Sequence, residues 1–343
     1  MKLLGQTPLS VLDLAPIREG KSLADTFEAS LTLARHVASL GYKRFWLAEH
    51  HNLAGIASSA TSILIGYIAA GTTTIRVGSG GIMLPNHAPL MVAEEFGTLE
   101  TLYPGRIDLG LGRAPGTDQE TMRALRGHLG PEIDFAHQLQ QLRYFFAKPK
   151  PGQHLRAIPG ANLKIPIWIL GSSLYSAHLA AAHGLPYAFA GHFAPEDMLD
   201  AVAVYRREFQ PSDVLENPYV MIGTQAVAAD TDEQAEYLAT TIYLRFLGIL
   251  RNQRTALLPP VKDISHLWSS SERAAVRDRL RYAAIGGPAK VAHSLQNLIN
   301  LTQADELIIN SEPYEDAARL RSFEILSSSL RRDPASKLGA GAV

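Results

Sequence analysis

GSGGIMLPNHAPLMVAEEFGTLETLYPGRIDLGLGRAPG, residues 78–116, contains two strand ends and the helix between them. A β-rich run from Thr74 to Ser79 stops at Gly80 and Gly81, and a second, from Arg106 to Leu111, stops at Gly112 and Arg113. Glycines at the carboxyl ends of strands let the backbone approach a ligand closely or take conformations closed to other residues. Glycines also serve plain turns. Two such pairs in one strand–helix–strand unit, the second followed by an arginine, point to a ligand site.

Outward from this unit, strand-like runs alternate with helical ones, the pattern of a parallel sheet covered by helices. Upstream, Leu9 to Leu14 reads as a strand, Leu23 to Leu40 as a helix closed by Gly41, Lys43 to Leu47 as a strand and Ala60 to Ala70 as a helix. In the first helix Ala24, Phe27, Leu31, Ala34 and Ala38 recur at helical spacing. Within the opening unit the strand is Ile75 to Gly78, the helix Pro89 to Leu102 and the next strand Ile107 to Leu111. Downstream come a helix from Pro131 to Phe146 and a proline- and glycine-rich connection from Lys148 to Lys164. Strands Ile167 to Leu170, Tyr187 to Ala190, Tyr219 to Val227 and Glu306 to Ile309 follow, interleaved with helices Tyr175 to His183, Pro195 to Glu208, Asp232 to Leu247, Pro288 to Asn300 and Tyr314 to Leu326.

These eight strands predict an α/β fold, a (β/α)8 TIM barrel, with insertion segments at its C-terminal face. A doubly wound open sheet is the alternative; against it, VLDLAPIREG after the first strand lacks a G-x-G-x-x-G turn. Residues 1–332 are expected to form one barrel domain and residues 333–343, small and polar, a flexible tail. The stretch Arg251 to Arg273 breaks the alternation and is too long for a routine connection. A lid, a packing insertion and an oligomer contact are the readings open to it.

Composition narrows the function. The chain has 343 residues, 46% of them hydrophobic, and a formal net charge of -1. Its lysines and arginines are scattered, which speaks against a nucleic-acid groove. Cysteine is absent, which excludes disulfides, zinc–thiolate sites, iron–sulfur clusters and a thiol nucleophile. No segment approaches the ~20 apolar residues of a membrane span, and MKLLGQTPLSVLDL has no signal-length apolar core. A cytoplasmic protein without membrane association is the expectation.

In a barrel the chemistry lies at the carboxyl ends of the strands. The second strand runs into Ala48-Glu49-His50-His51-Asn52. Successive side chains alternate in direction, so either Glu49 and His51 or His50 alone face the mouth. That is poor geometry for a metal site built from all three, and no metal is expected. His50 is better suited to act as an acid, a base or a donor, the plainer alternative being a histidine bonded to a loop carbonyl. The fifth strand ends in Gly171-Ser172-Ser173, with Ser176 in the first turn of the next helix. Hydroxyls and free amides at a helix N-terminus cradle anions; serines there also serve as ordinary caps. Arg113 can supply the matching charge. A phosphate cradle beside apolar Met83, Leu84, Trp168 and Phe189 suits a phosphorylated aromatic cofactor. Asp13 and His192 stand at other strand ends, as pocket polarity or as turn residues. Neither a G-x-S-x-G elbow nor a P-loop occurs.

From Leu9 to Leu326 the chain resembles the bacterial luciferase-like monooxygenases, flavin-dependent (β/α)8 barrels. The resemblance rests on FWLAEHHN at 45–52, GSGGIMLPNHAP at 78–89, LYPGRIDLGLGRAPG at 102–116 and IPIWILGSSLYSAHLAAAHGLPYAFA at 165–190. It implies that His50 lies by the reactive edge of the flavin and takes part in proton transfer. It also implies that Gly80 and Gly81 form a non-proline cis peptide against the ring, and that Arg113, Ser172, Ser173 and Ser176 hold the phosphate. The reactive cysteine of luciferase, near the position of Gly112, is missing, so a relative that emits no light is implied. Reduced FMN, delivered by a flavin reductase, would meet oxygen in a pocket closed to water and oxygenate a small organic substrate. A homodimer is expected. A deazaflavin-dependent reductase or dehydrogenase, a non-catalytic flavin-binding protein and a metal-dependent barrel hydrolase are the competing readings.

Overall fold

The structure, a computed structural model, describes residues 2–114, 116–126 and 134–330. Its strands are β1 (Leu9–Asp13), β2 (Arg44–Leu47), β3 (Arg76–Ser79), β4 (Ile82–Met83), β5 (Ile107–Gly112), β6 (Ile167–Gly171), β7 (Tyr187–Phe189), β8 (Val220–Ala228), β9 (Ala284–Gly286) and β10 (Glu306–Asn310). The helices are α1 (Leu23–Ser39), α2 (Thr61–Ala70), α3 (Pro89–Leu102), α4 (Gln119–Arg126), α5 (Phe135–Phe146), α6 (Leu174–Ala182), α7 (Met198–Glu208), α8 (Asp232–Leu250), α9 (Ser270–Arg279), α10 (Pro288–Thr302) and α11 (Asp316–Leu330).

All named pairings are parallel, in the order β10-β1-β2-β3-β5-β6-β7-β8, and β8 pairs back to β10. The closing register sets Glu306 beside Met221 and Asn310 beside Gln225. This is the closed eight-stranded (β/α)8 barrel that the alternation predicts, and it removes the open-sheet alternative. The short β4 extends the β5 pairing and β9 hangs on the far end of β8. Both were invisible in the sequence because two or three residues carry no periodicity. Strands such as LSVLD of β1 and IDLGLG of β5 are buried along their whole length, as parallel strands covered on both faces must be.

Some helix starts are written in short polar residues. Ser22 and Asp25 form a reciprocal capping box on α1, and Ser269 and Glu272 form one on α9. The helix expected from Pro131 begins at Phe135 among the described residues, where the Asp134 carboxylate accepts from the Ala136 amide at 2.9 Å; Pro131 itself lies outside them, as do residues 333–343. Helix α4 was not anticipated: it is a charged helix with no buried residue.

The barrel interior has two storeys. At the amino-terminal end, Arg44 donates to Glu306 at 2.9 Å and to Asp108 at 2.6 Å, and Asp108 also takes Arg76 at 2.6 Å and the Trp46 indole at 3.1 Å. Tyr219 donates to the other oxygen of Glu306 at 2.9 Å. Each buried charge therefore has partners, the condition under which such a cluster persists. Above it pack Leu12, Trp46, Trp168, Ala188, Met221 and Ile308, with the two tryptophans edge to face at 5.2 Å. This layer is the floor of the site.

Candidate active site

A cavity of about 500 Å³ opens at the carboxyl ends of the strands. His50, Gly80, Gly81, Arg113, Ser172, Ser173 and Ser176 all line it, together with Leu12, Trp46, Met83 and Phe189. Leu84 and Trp168, read from the sequence as mouth residues, do not. Leu84 is fully buried in the outer core, and Trp168 lies in the floor. Trp46 takes the expected aromatic position instead.

His50 follows β2, whose continuation is held by the Ala48 amide donating to Asp13 and the Glu49 amide to Gly81. Of the three ionisable residues here only His50 turns into the cavity. Its Nδ1 is buried and meets no protein partner. Burial, helped by the charge of Arg245, pulls its pKa down to about 4, so the ring is neutral near pH 7. His192, also in the wall, is in the same state: half-buried, with a buried and unpartnered Nδ1, its pKa drawn down to about 4 chiefly by loss of water around the ring.

Glu49 and His51 face away from the cavity and meet His87. The Glu49 carboxylate accepts from His51 at 2.7 Å, from His87 at 2.9 Å and from the Met83 amide at 3.0 Å. The ligand atoms of these three residues lie within 4.8 Å of one another, close enough to share a cation. Hydrogen bonds already account for the arrangement. Although burial works to raise the Glu49 pKa, the histidine and amide bonds bring it down to about 2, and the carboxylate raises that of His87 against the cost of burial. His87 had gone unnoticed in the sequence, where it lies 36 positions downstream of His51.

The Gly80–Gly81 peptide bond is cis, the geometry the resemblance implies. A Cβ on Gly81 would come within 2.7 Å of the Gly110 carbonyl oxygen, so the neighbouring strand leaves no space for a side chain.

The turn from β6 into α6 forms the second feature. Among the described residues the Ser172 and Ser173 side chains have no hydrogen-bond partner, and no side chain caps α6. Its first-turn amides are therefore available to an anion. Ser176 differs: its hydroxyl donates to the Ser173 carbonyl at 2.8 Å and lies 3.2 Å from the Tyr187 hydroxyl. Its one proton is committed, and what it can offer a ligand is its backbone N–H. Arg113 lies over the Tyr175 ring, 4.2 Å from the centroid, a cation–π contact that holds the guanidinium beside the serines. Tyr175 carried no signal in the sequence beyond its helical position.

Asp13 is structural: it is buried, pairs with Arg319 at 2.8 Å and accepts from the Ala15 amide at 3.0 Å. The stretch from Arg251 to Arg273 contributes Gln253 to Leu258 to the cavity wall. It is fastened by the Leu257 amide to Ile17 at 2.7 Å and by the Glu19 amide to Leu257 at 2.9 Å. This placement makes part of the stretch a wall of the pocket, a role that the readings of a lid, a packing insertion and an oligomer contact did not include.

The luciferase-like monooxygenase family model matches residues 7–320. The chain belongs to the luciferase-like monooxygenase family. Two relatives of nearly full length support this. The Bacillus subtilis (strain 168) protein YvbT is 54% identical, covering 94% of this chain and 96% of its own. An Escherichia coli (strain K12) luciferase-like monooxygenase is 52% identical, covering 92% and 95%. Among solved structures, apo-MsnO8 superposes with a TM-score of 0.88 at 35% identity, covering 96% of this chain and 99% of that one. Two distant barrels share the fold alone. The oxygenating constituent of Pseudomonas putida 3,6-diketocamphane monooxygenase, in complex with FMN, is 18% identical at a TM-score of 0.69. An F420-dependent secondary alcohol dehydrogenase is 12% identical at 0.64. The chain is thus a family monooxygenase, and among its described residues no helix is long and apolar enough to cross a membrane.

Proposed function

We propose that this monooxygenase uses reduced FMN and molecular oxygen to oxygenate a small organic substrate, the reduced flavin coming from a separate reductase. One observation carries the reading: an anion cradle and a half-buried, neutral histidine with a buried, unpartnered ring nitrogen share the wall of one largely apolar cavity. A phosphorylated flat cofactor suits that combination, and a distant barrel of the same fold is described in complex with FMN.

Bound flavin supplies the oxygen activation. The chain supplies the rest. Arg113, the Ser172 and Ser173 hydroxyls and the first amides of α6 hold the phosphate. The bare Gly80–Gly81 backbone leaves a flat face for the ring system. His50 Nδ1 accepts or returns a proton, which a ring kept neutral by burial can do at pH 7. Leu12, Trp46, Met83 and Phe189 keep water from the reacting atoms.

Deazaflavin-dependent hydride transfer is the second reading, favoured by the F420-dependent dehydrogenase that shares this barrel. Anaerobic titration of the apo-protein with reduced FMN, oxidised FMN and the deazaflavin coenzyme, followed by admission of air, separates the two. Preferential binding of reduced FMN with rapid oxygen uptake supports the monooxygenase. Tight deazaflavin binding without oxygen uptake moves the function to hydride transfer. A homodimer belongs to the same proposal: exposed Ile63 and Tyr67 on α2 and Met91 and Leu102 on α3 leave apolar surface uncovered. Light scattering that gives a monomer mass at all concentrations rejects it.

A further inference from the structure

The charge of the cavity wall is one-sided. Arg113, Arg245 and Arg254 line it, and among the described residues not one aspartate or glutamate does. Two of these charges have an occupation. Arg113 lies on Tyr175 at the serine cradle, and Arg245 is ion-paired with buried Glu312. Arg254 has neither an ion pair nor a hydrogen bond among the described residues. It sits in the fastened wall segment from Gln253 to Leu258, exposed to solvent yet part of the cavity lining. Its positive charge is felt inside the cavity, where it disfavours protonation of His50. An arginine on a surface needs no partner; one held by a pinned segment against an apolar cavity whose described residues include no carboxylate is placed for an anion brought by a ligand.

We propose that the substrate carries an anionic group, a carboxylate or its equivalent, which Arg254 receives at the mouth of the cavity while the apolar remainder lies against the floor. The inference rests on the monooxygenase reading of the cavity. The cradle at Arg113 accounts for the cofactor phosphate, and Arg254 accounts for a second, separate anion. A charge-assisted bond of this kind favours the carboxylate over its neutral amide by about tenfold or more.

The test uses a matched pair, 5-phenylpentanoate and 5-phenylpentanamide, titrated into the full-length protein with and without saturating FMN and followed by quenching of the tryptophan fluorescence, to which Trp46 in the cavity wall contributes. The same titrations are run on Arg254→Leu and Arg254→Lys, and the reduced-FMN affinity of each variant is measured anaerobically. The proposal expects the wild type to bind the carboxylate about tenfold more tightly than the amide. Arg254→Leu abolishes that preference by weakening the carboxylate alone, Arg254→Lys keeps most of it, and reduced-FMN affinity stays unchanged. Equal binding of the pair by the wild type, binding of neither, or an unaltered preference in Arg254→Leu overturns the proposal. So does a loss of reduced-FMN affinity in Arg254→Leu, which would assign the charge to the flavin. A carboxylate preference that depends on Arg254 in a protein that binds no FMN retains this inference and rejects the flavin reading.

Discussion

Glu49 and His50, neighbours in the chain, look to opposite sides of the β2 end. The Glu49 carboxylate is clamped by His51, His87 and the Met83 amide, while the His50 imidazole stands in the cavity wall with an unpartnered Nδ1. The clamp is on the outside of the rim and the imidazole on the inside, so the strand that presents His50 is anchored by its own neighbour.

Removing that imidazole tests its role. His50→Ala is expected to bind reduced FMN with affinity close to the wild type and to lose turnover by about 100-fold or more, the range of a positioned acid or base. Stopped-flow binding and oxygen-uptake assays on the same preparation check both halves. Unchanged turnover would make the histidine a spectator.

The pH dependence of stability follows from the same residue. The unfolded chain protonates His50 as pH falls through its ordinary value of 6.5, whereas the folded chain, where burial opposes the charge, does so only near 4. Between those values the unfolded state binds more protons, so this group makes stability fall as pH falls, by about 1.4 kcal/mol per unit of pKa depression. His50→Asn should therefore gain on the wild type as pH drops from 6.5 to about 4. Urea denaturation across that window measures the difference, and parallel curves would contradict it.

At the cradle, Arg113→Ala is expected to weaken FMN binding by about tenfold to a hundredfold, the worth of one charge-assisted bond. Gly171→Ala should weaken it as well without removing any charge, because a Cβ there would come within 2.2 Å of Ser176 Oγ and displace the turn. Fluorescence titration with FMN, and with riboflavin as the form lacking phosphate, separates the effects. Arg113→Ala should leave riboflavin binding unaltered.

On the floor, Glu306→Gln strips the charge that Arg44, Lys43 and Tyr219 share. Leaving Arg44 short of a buried partner should cost about 3–5 kcal/mol of stability. Asp230→Ala, which breaks an exposed pair with Arg321, is the control and should change little. Thermal denaturation of the two variants side by side reads the contrast.

The barrel was legible because its long strands, such as Ile107–Gly112 and Ile167–Gly171, are apolar runs bounded by glycine or serine, which only a strand covered on both faces requires. Helix α4 was not, since a short charged helix resembles a loop in composition. His50 and the cradle stood out as polar residues at strand ends, where apolar ones would otherwise be expected. Leu84 was misplaced because composition says that a leucine is buried and not which side of the wall it faces. Tyr175, Arg245 and Arg254 escaped notice for a different reason: their importance comes from partners, or the lack of them, far away in the chain.

The amino-terminal end of the barrel is stoppered by Arg44, Asp108 and Glu306 beneath the two tryptophans. A ligand therefore does not pass through that end of the barrel. Should the proposed flavin and substrate both enter at the carboxyl ends of the strands, the one seated deeper would arrive first and depart last. Under the proposed function, the closed end of the barrel, one side chain below the cavity at Trp46, would thus help to set the order in which flavin and substrate come and go.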